Sequence, residues 1–221
     1  MKYILFIAFI LSVVSCAKHD GYTLTGLVPE AWEGKPVFLV LDDTNQPHFI
    51  DSTKISGGKF KFQGKFEVPR YCTINIYLDP NDRQTRSKII NFSLFIDSTA
   101  VEATCNYSGK HPVFQISGSG TQTEYQNYLS EIQPMEDDRS KTFHAYGEAY
   151  YSTKDLAKAI DLAKLVTEKR LAIREAKMKY LKAHPESAIS VKIAQELSDR
   201  NSDLSLKEIE GLFTSLSPEM Q

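Results

Sequence analysis

Hydrophobic periodicity changes near residue 118. From Gly21 to about Ser117 apolar residues alternate with polar ones; after Ser117-Gly-Ser-Gly120 they recur every three or four positions. Alternation marks strands with one wet face, and the longer period marks amphipathic helices. Lys59-Phe-Lys-Phe-Gln-Gly-Lys-Phe66 is the cleanest strand. Phe60, Phe62 and, past a bulge at Gly64, Phe66 take the buried side, and the lysines take the wet side. Gly57-Gly58 before it reads as a turn. Further strands are predicted over 22–28, 36–41, 48–53, 71–78, 89–97, 100–107 and 112–117. Pro36 to Leu41 is a continuous apolar run, as a central strand requires. Short strands at near-even spacing predict an antiparallel β-sandwich or barrel over residues 22–118.

Residues 119–221 read as a C-terminal helical region, which makes the fold class α+β. Thr121 and Glu124 fit a capping box, and Tyr125, Tyr128, Leu129 and Ile132 follow on one face until Pro134 ends the helix. Ser152 with Asp155 caps a second helix that runs to about Ala183. Its stripe is Leu156, Ile160, Ala163, Val166, Ile173 and Tyr180. Pro185 suits the first position of a third helix carrying Ile189, Ile193 and Leu197. Ser205 and Glu208 form a capping box before Ile209, Leu212, Phe213 and Leu216. Ser217-Pro218-Glu219 has the form of a further turn or helix start. No heptad run demands a coiled coil.

The opening MKYILFIAFILSVVSC belongs to neither half. Lys2 gives a positive start, and Tyr3 to Leu11 form an apolar run too short for a span, which needs roughly 20 residues. Val13-Val14-Ser15-Cys16 has the lipobox form. Residues 1–15 are therefore expected to be a lipoprotein signal peptide, Cys16 the lipidated N-terminus, and 16–21 a linker. Several acyl chains make such an anchor effectively permanent. Ala17 carries no inner-membrane retention signal, so an outer-membrane address in the cell envelope is expected, with the periplasmic face favoured over the outside. The membrane is the first partner this implies, and an envelope protein the second.

The formal net charge is −2 with both signs well mixed. No basic block or stripe suggests nucleic acid. His19, His48, His111, His144 and His184 have no metal-ligand partner at helical or strand spacing. Asp42-Asp43 and Asp79-Pro-Asn-Asp82 lack the spacing and closing Glu of a calcium loop and read as turns. Ser117-Gly-Ser-Gly120 lacks the lysine of a phosphate loop and reads as a connector. No catalytic, cofactor-binding or metal residue is assigned, and no cofactor is expected. Cys72 shares a face with Ile74, Ile76 and Leu78, and Cys105 with Val101 and Ala103. Buried thiols are the first expectation. A structural disulfide is the alternative, and would add about 3–4 kcal/mol. Phe143 to Tyr151 is the most aromatic segment. Phe143, Tyr146 and Tyr150 fit one helical face, expected to pack on a neighbour rather than to stack on a ligand.

Asp51-Ser52, then Gly57-Gly58-Lys59-Phe60-Lys61-Phe62-Gln63-Gly64, then Pro69 together resemble the signature of domain of unknown function 4369, found in lipoproteins of Bacteroidota. Ile116-Ser117-Gly118-Ser119 and His184-Pro185-Glu186-Ser187 fit that family too. The resemblance implies a two-part region that usually precedes a thioredoxin-like domain with a W-C-x-x-C motif, in lipoproteins resembling thiol–disulfide interchange proteins. This sequence departs from that pattern: Trp32 is the only tryptophan and no CxxC occurs. Three functions follow as expectations. One is a non-catalytic accessory or interaction module related to redox lipoproteins. Another is a truncated thiol–disulfide oxidoreductase, or one using Cys72 and Cys105. The third is a glycan- or peptide-binding lipoprotein.

Overall fold

A computed structural model describes residues 21–42, 48–79, 88–107, 111–199 and 204–220. The expected signal peptide, Cys16 and His19 lie outside these residues. In the alternating half, eight strands form two four-stranded sheets. They are β1 (Tyr22–Leu27), β2 (Pro36–Leu41), β3 (His48–Lys54), β4 (Lys59–Gly64), β5 (Arg70–Tyr77), β6 (Ile89–Ile96), β7 (Ala100–Tyr107) and β8 (Pro112–Ser117). One sheet has the order β4-β1-β7-β8 and the other β3-β2-β5-β6. The architecture is a sandwich and not a closed barrel. Leu24, Phe60, Phe62, Val101 and Ala103 of the first sheet face Val37, Leu39, Ile74, Ile76, Leu94 and Ile96 of the second.

Two strand expectations are corrected. The first sheet is mixed, because β1 runs parallel to β7, with Thr23 opposite Ala100 and Leu27 opposite Thr104. Gly64 is no bulge: it ends β4 in regular register opposite Tyr22. A Cβ there would lie 2.9 Å from the Tyr22 ring. Phe66 still reaches the core side and stacks on Tyr22 at 4.9 Å. Gly57 and Gly58 make the turn between β3 and β4 with φ of 59° and 66°, a conformation that costs little only without a Cβ.

The helices are α1 (Gly120–Gly147), α2 (Leu156–Ala183), α3 (Ala188–Leu197) and α4 (Leu206–Thr214). A π-helical turn, Glu148–Ser152, joins α1 to α2. Pro134 does not end α1; it lies exposed within a 28-residue helix. A mid-helix proline forfeits one hydrogen bond and costs about 3 kcal/mol. Ile132 and Met135 on either side of it join the helical core, and that packing outweighs the loss. Caps also shift by a few residues. Ser119, not Thr121, caps α1; Asp155 caps α2; Ser187 caps α3, with Pro185 in the preceding turn. The Ser205–Glu208 capping box forms as expected.

A short heptad seam, absent from the sequence reading, holds α1 to α2. Tyr128, Met135 and Thr142 on α1 and Ala149 in the π-helical turn follow at steps of seven, as do Ala159, Val166, Ile173 and Tyr180 on α2. The Tyr128 and Tyr180 rings lie 4.8 Å apart and fix the antiparallel register. The other three pairs then fall level. Ala149 and Ala159 form the last, thinnest layer at the tip, both buried. The hairpin is thus an arm about 40 Å long. Near the sandwich, α3 and α4 cover it through Ile189, Ile193, Leu212 and Leu216. Among the described residues, no helix is long and apolar enough to cross a membrane.

Candidate functional site

The joint between sandwich and arm concentrates the buried polar groups. Asp97, at the end of β6, accepts from the Ser119 hydroxyl at 2.7 Å, the Thr121 N–H at 3.3 Å and the Thr99 hydroxyl. Burial pushes its pKa up, but these donors more than offset that and hold the carboxyl below its ordinary value. Ser119 accepts from the Gln122 N–H at 3.0 Å, and the Gln122 side-chain oxygen accepts from the buried Phe95 N–H at 2.8 Å. Gly118 makes the corner with φ +94°, where a Cβ would meet the Ala100 carbonyl at 2.0 Å. One turn on, Glu124 accepts from the Tyr180 hydroxyl at 2.7 Å and the Ser187 hydroxyl at 2.8 Å, tying α1 to α2 and to the cap of α3. These carboxylates are occupied by structural bonds.

The other sequence candidates are dispersed. Asp42 accepts from the Thr73 hydroxyl at 2.6 Å, and Asp79 pairs with Lys88 at 2.9 Å. Asp43 and Asp82 lie outside the described residues. His48 begins β3, His111 precedes β8, His144 is on α1, and His184 ends α2 beside Tyr180. Among the described residues, no group of three His, Cys, Asp or Glu side chains could hold a metal.

Cys72 and Cys105 are brought into one core but not together. Cys72 is on β5, between Leu41 and Leu94. Cys105 is on β7, opposite Phe114. Phe114 stacks at 3.8 Å on Phe92, whose partner is Ile74. That places the thiols about two residues, roughly 7 Å, out of level along the sandwich. No S–S bond joins them. Burial raises the Cys105 pKa, which keeps it a thiol rather than a nucleophilic thiolate.

A cleft of about 130 Å³ opens where the start of β5 meets α3. Tyr71 and Phe95 line it, with Arg70, Lys192 and Glu219 around them. Lys192 is engaged within the fold, 4.5 Å above the Tyr71 ring and 3.7 Å from Glu196. The volume is below the roughly 300 Å³ at which small-molecule sites begin.

The aromatic segment sits at the far end of the arm; Tyr146 is half-buried there, whereas Phe143 and Tyr150 are not buried on a neighbour as expected. Phe143 meets Tyr146 at a tilt with ring centroids 6.0 Å apart, and Tyr146 stacks on Tyr150 at 5.8 Å. Tyr150 meets Tyr151 edge-on at 4.8 Å. Phe143 is 54% exposed, Tyr150 44% and Tyr151 73%. Leu156 and Ile160, expected in the buried stripe of α2, are 59% and 57% exposed. The inward positions here are taken by Thr142, Ala149 and Ala159 instead. Lys154, between the π-turn and α2, adopts φ 53°, an uncommon conformation for a side chain of its size. Residues 22–125 match the family model described as Domain of unknown function (DUF4369). Over those residues the chain is similar to the DUF4369 family. Searches among curated proteins and among solved structures found no match. The DUF4369 match takes in the whole sandwich and the first turns of α1, including Ser119 and Gln122. It stops short of the aromatic tip, which is a feature of the segment that follows the domain.

Proposed function

We propose that this protein is a lipid-anchored lipoprotein of the cell envelope, tethered through Cys16. In this reading its DUF4369 domain and helical arm form a non-catalytic docking module, related by its domain to thiol–disulfide redox lipoproteins. The outer membrane is the favoured address, with the periplasmic face favoured. One observation carries the docking role: the arm holds a contiguous aromatic and aliphatic surface in water, while the titratable groups of the joint are committed to structural bonds. Exposed apolar patches of this kind mark interaction sites. The lipobox supports the anchor, and the domain match supports the kinship.

Two measurements test the two parts. Replacing Cys16→Ser should abolish uptake of labelled palmitate and release the protein from the membrane fraction; a variant that is still acylated sinks the anchor. A photo-crosslinking residue in place of Tyr150 should give protein adducts in growing cells. Absence of every adduct, to other proteins or to itself, sinks the docking role.

A further inference from the structure

We propose that the distal half of the arm is a self-association surface, through which two copies of this chain pair by the face carrying Phe143, Tyr150, Leu156 and Ile160. This rests on the docking reading above and names the partner.

These residues share one face, although they come from α1, the π-turn and α2. Lys177 of α2 bridges Glu136 of α1 at 3.4 Å and Glu196 of α3 at 3.1 Å, so Glu136 and Lys177 lie on the α3 side of the hairpin. Heptad steps preserve the side. From Glu136 they lead to Phe143 and Tyr150; from Lys177 they lead back through Arg170 and Ala163 to Leu156. Ile132, in the core with α3, leads to Arg139 and Tyr146, and Leu181, in the same core, leads back to Ile160. The face that α3 covers near the sandwich therefore continues to the tip, uncovered by any other described element.

Phe143, Tyr146 and Tyr150 occlude part of each other's ring faces, with interplanar angles of 35° and 23°. A sugar needs an open ring face, whereas a row of neighbouring rings along a helix, one pair tilted and one stacked, is a ridge suited to a helical groove. Beside that ridge, Leu156, Ile160 and Ala163 form a lower aliphatic shelf on α2. Ridge and shelf lie side by side on one molecule, as a two-fold contact requires, so the ridge of one copy can enter the shelf of the other. With Tyr151 at the end, the exposed parts of Phe143, Tyr150, Leu156 and Ile160 amount to roughly 550 Å² per copy. Two copies together can remove at most about 1,100 Å² from water, just under the roughly 1,200 Å² where standard interfaces begin and above the roughly 800 Å² of ordinary crystal contacts. α3 stands on the same face as a shoulder and limits the overlap to the distal turns.

The test uses the full chain in its membrane. Tyr150→Cys should give, on mild oxidation, a covalent dimer of the chain. Lys141→Cys should not, because Lys141 follows Asp138 by one turn on the opposite side, where Asp138 pairs with Lys169. Adding Phe143→Ser and Ile160→Ser should lower the Tyr150→Cys dimer yield at least about 10-fold, as loss of central apolar anchors does. Both positions are exposed, so an unchanged melting temperature verifies the fold. Equal dimer from Lys141→Cys, or a yield indifferent to Phe143→Ser and Ile160→Ser, overturns the proposal. Adducts from position 150 only to other proteins also overturn it, while leaving the docking role standing.

Discussion

Gln122→Ala tests whether the joint couples the two halves. Gln122 is 4% exposed, and its side-chain oxygen is the acceptor for the buried Phe95 N–H at 2.8 Å. Alanine removes that acceptor and leaves too little room for bulk water to replace it. An orphaned buried donor costs about 1–3 kcal/mol. The lost Cγ methylene adds up to about 1 kcal/mol after relaxation. The expected destabilisation is therefore about 2–3 kcal/mol. For a chain of this size each kcal/mol moves the midpoint by about 2–4 °C, so Tm should fall by roughly 5–10 °C. Calorimetry should show one transition moving as a whole, since Gln122 begins α1 while Phe95 belongs to both the sheet and the helical core. Hydrogen exchange adds a local check, in which the Phe95 amide should lose protection more than its neighbours on β6. A Tm within about 1 °C of the parent, with the Phe95 amide as slow as before, would refute the account of the joint. Two separate transitions, only one of them shifted, would refute the coupling.

Asp97→Asn should destabilise at neutral pH and matter less in acid. Its folded pKa is lowered, so its stabilisation is present above the ordinary carboxylate value of about 4 and is lost as pH falls through the folded value. Tm of parent and variant should converge below about pH 4, and a gap independent of pH would refute the assignment. Gly26→Ala places a Cβ 2.0 Å from the Phe60 ring and should cost about 1–3 kcal/mol in urea unfolding, with partial recovery when Phe60→Leu is added. Pro134→Ala restores a missing donor at an exposed position in α1 and should raise stability by up to about 3 kcal/mol. A fall in Tm would mean that the arm needs the proline for its shape.

The parts of this fold that were legible in the sequence are those decided locally. Phe60 and Phe62 alternate with Lys59 and Lys61, and a strand with one wet face is the arrangement that buries the rings and solvates the amines. Ser205 and Glu208 cap each other across three residues, so their box was readable too. The parallel pairing of β1 with β7 joins segments some 75 residues apart and leaves no local mark. Asp97 belongs to no motif; its role exists only because β6 ends where α1 begins. Pro134 misled because a propensity cost of about 3 kcal/mol was weighed without the packing on both sides of it.

The aromatic tip departs from its local pattern because its register is set elsewhere. On α2 the apolar stripe is wide enough to offer two seams, one through Leu156, Ile160 and Ala163 and one through Ala159, Val166 and Ile173. A hairpin optimised only for its own stability would turn Leu156 and Ile160 inward, because burying a leucine or isoleucine is worth about 1.5–3 kcal/mol and an alanine much less. The chain does the reverse at the tip: Ala149 and Ala159 are buried while Tyr150 and Ile160 face water. The register is dictated from the base, where Tyr128, Ile173 and Tyr180 lock the helices and Glu136 and Lys177 set the rotation. Heptad steps then carry the small residues inward and the large ones outward all the way to the π-turn. The arm thus forgoes several kcal/mol of internal burial at its end. Large apolar side chains held outward on a rigid scaffold are poor for a monomer and well suited to a partner that arrives from outside.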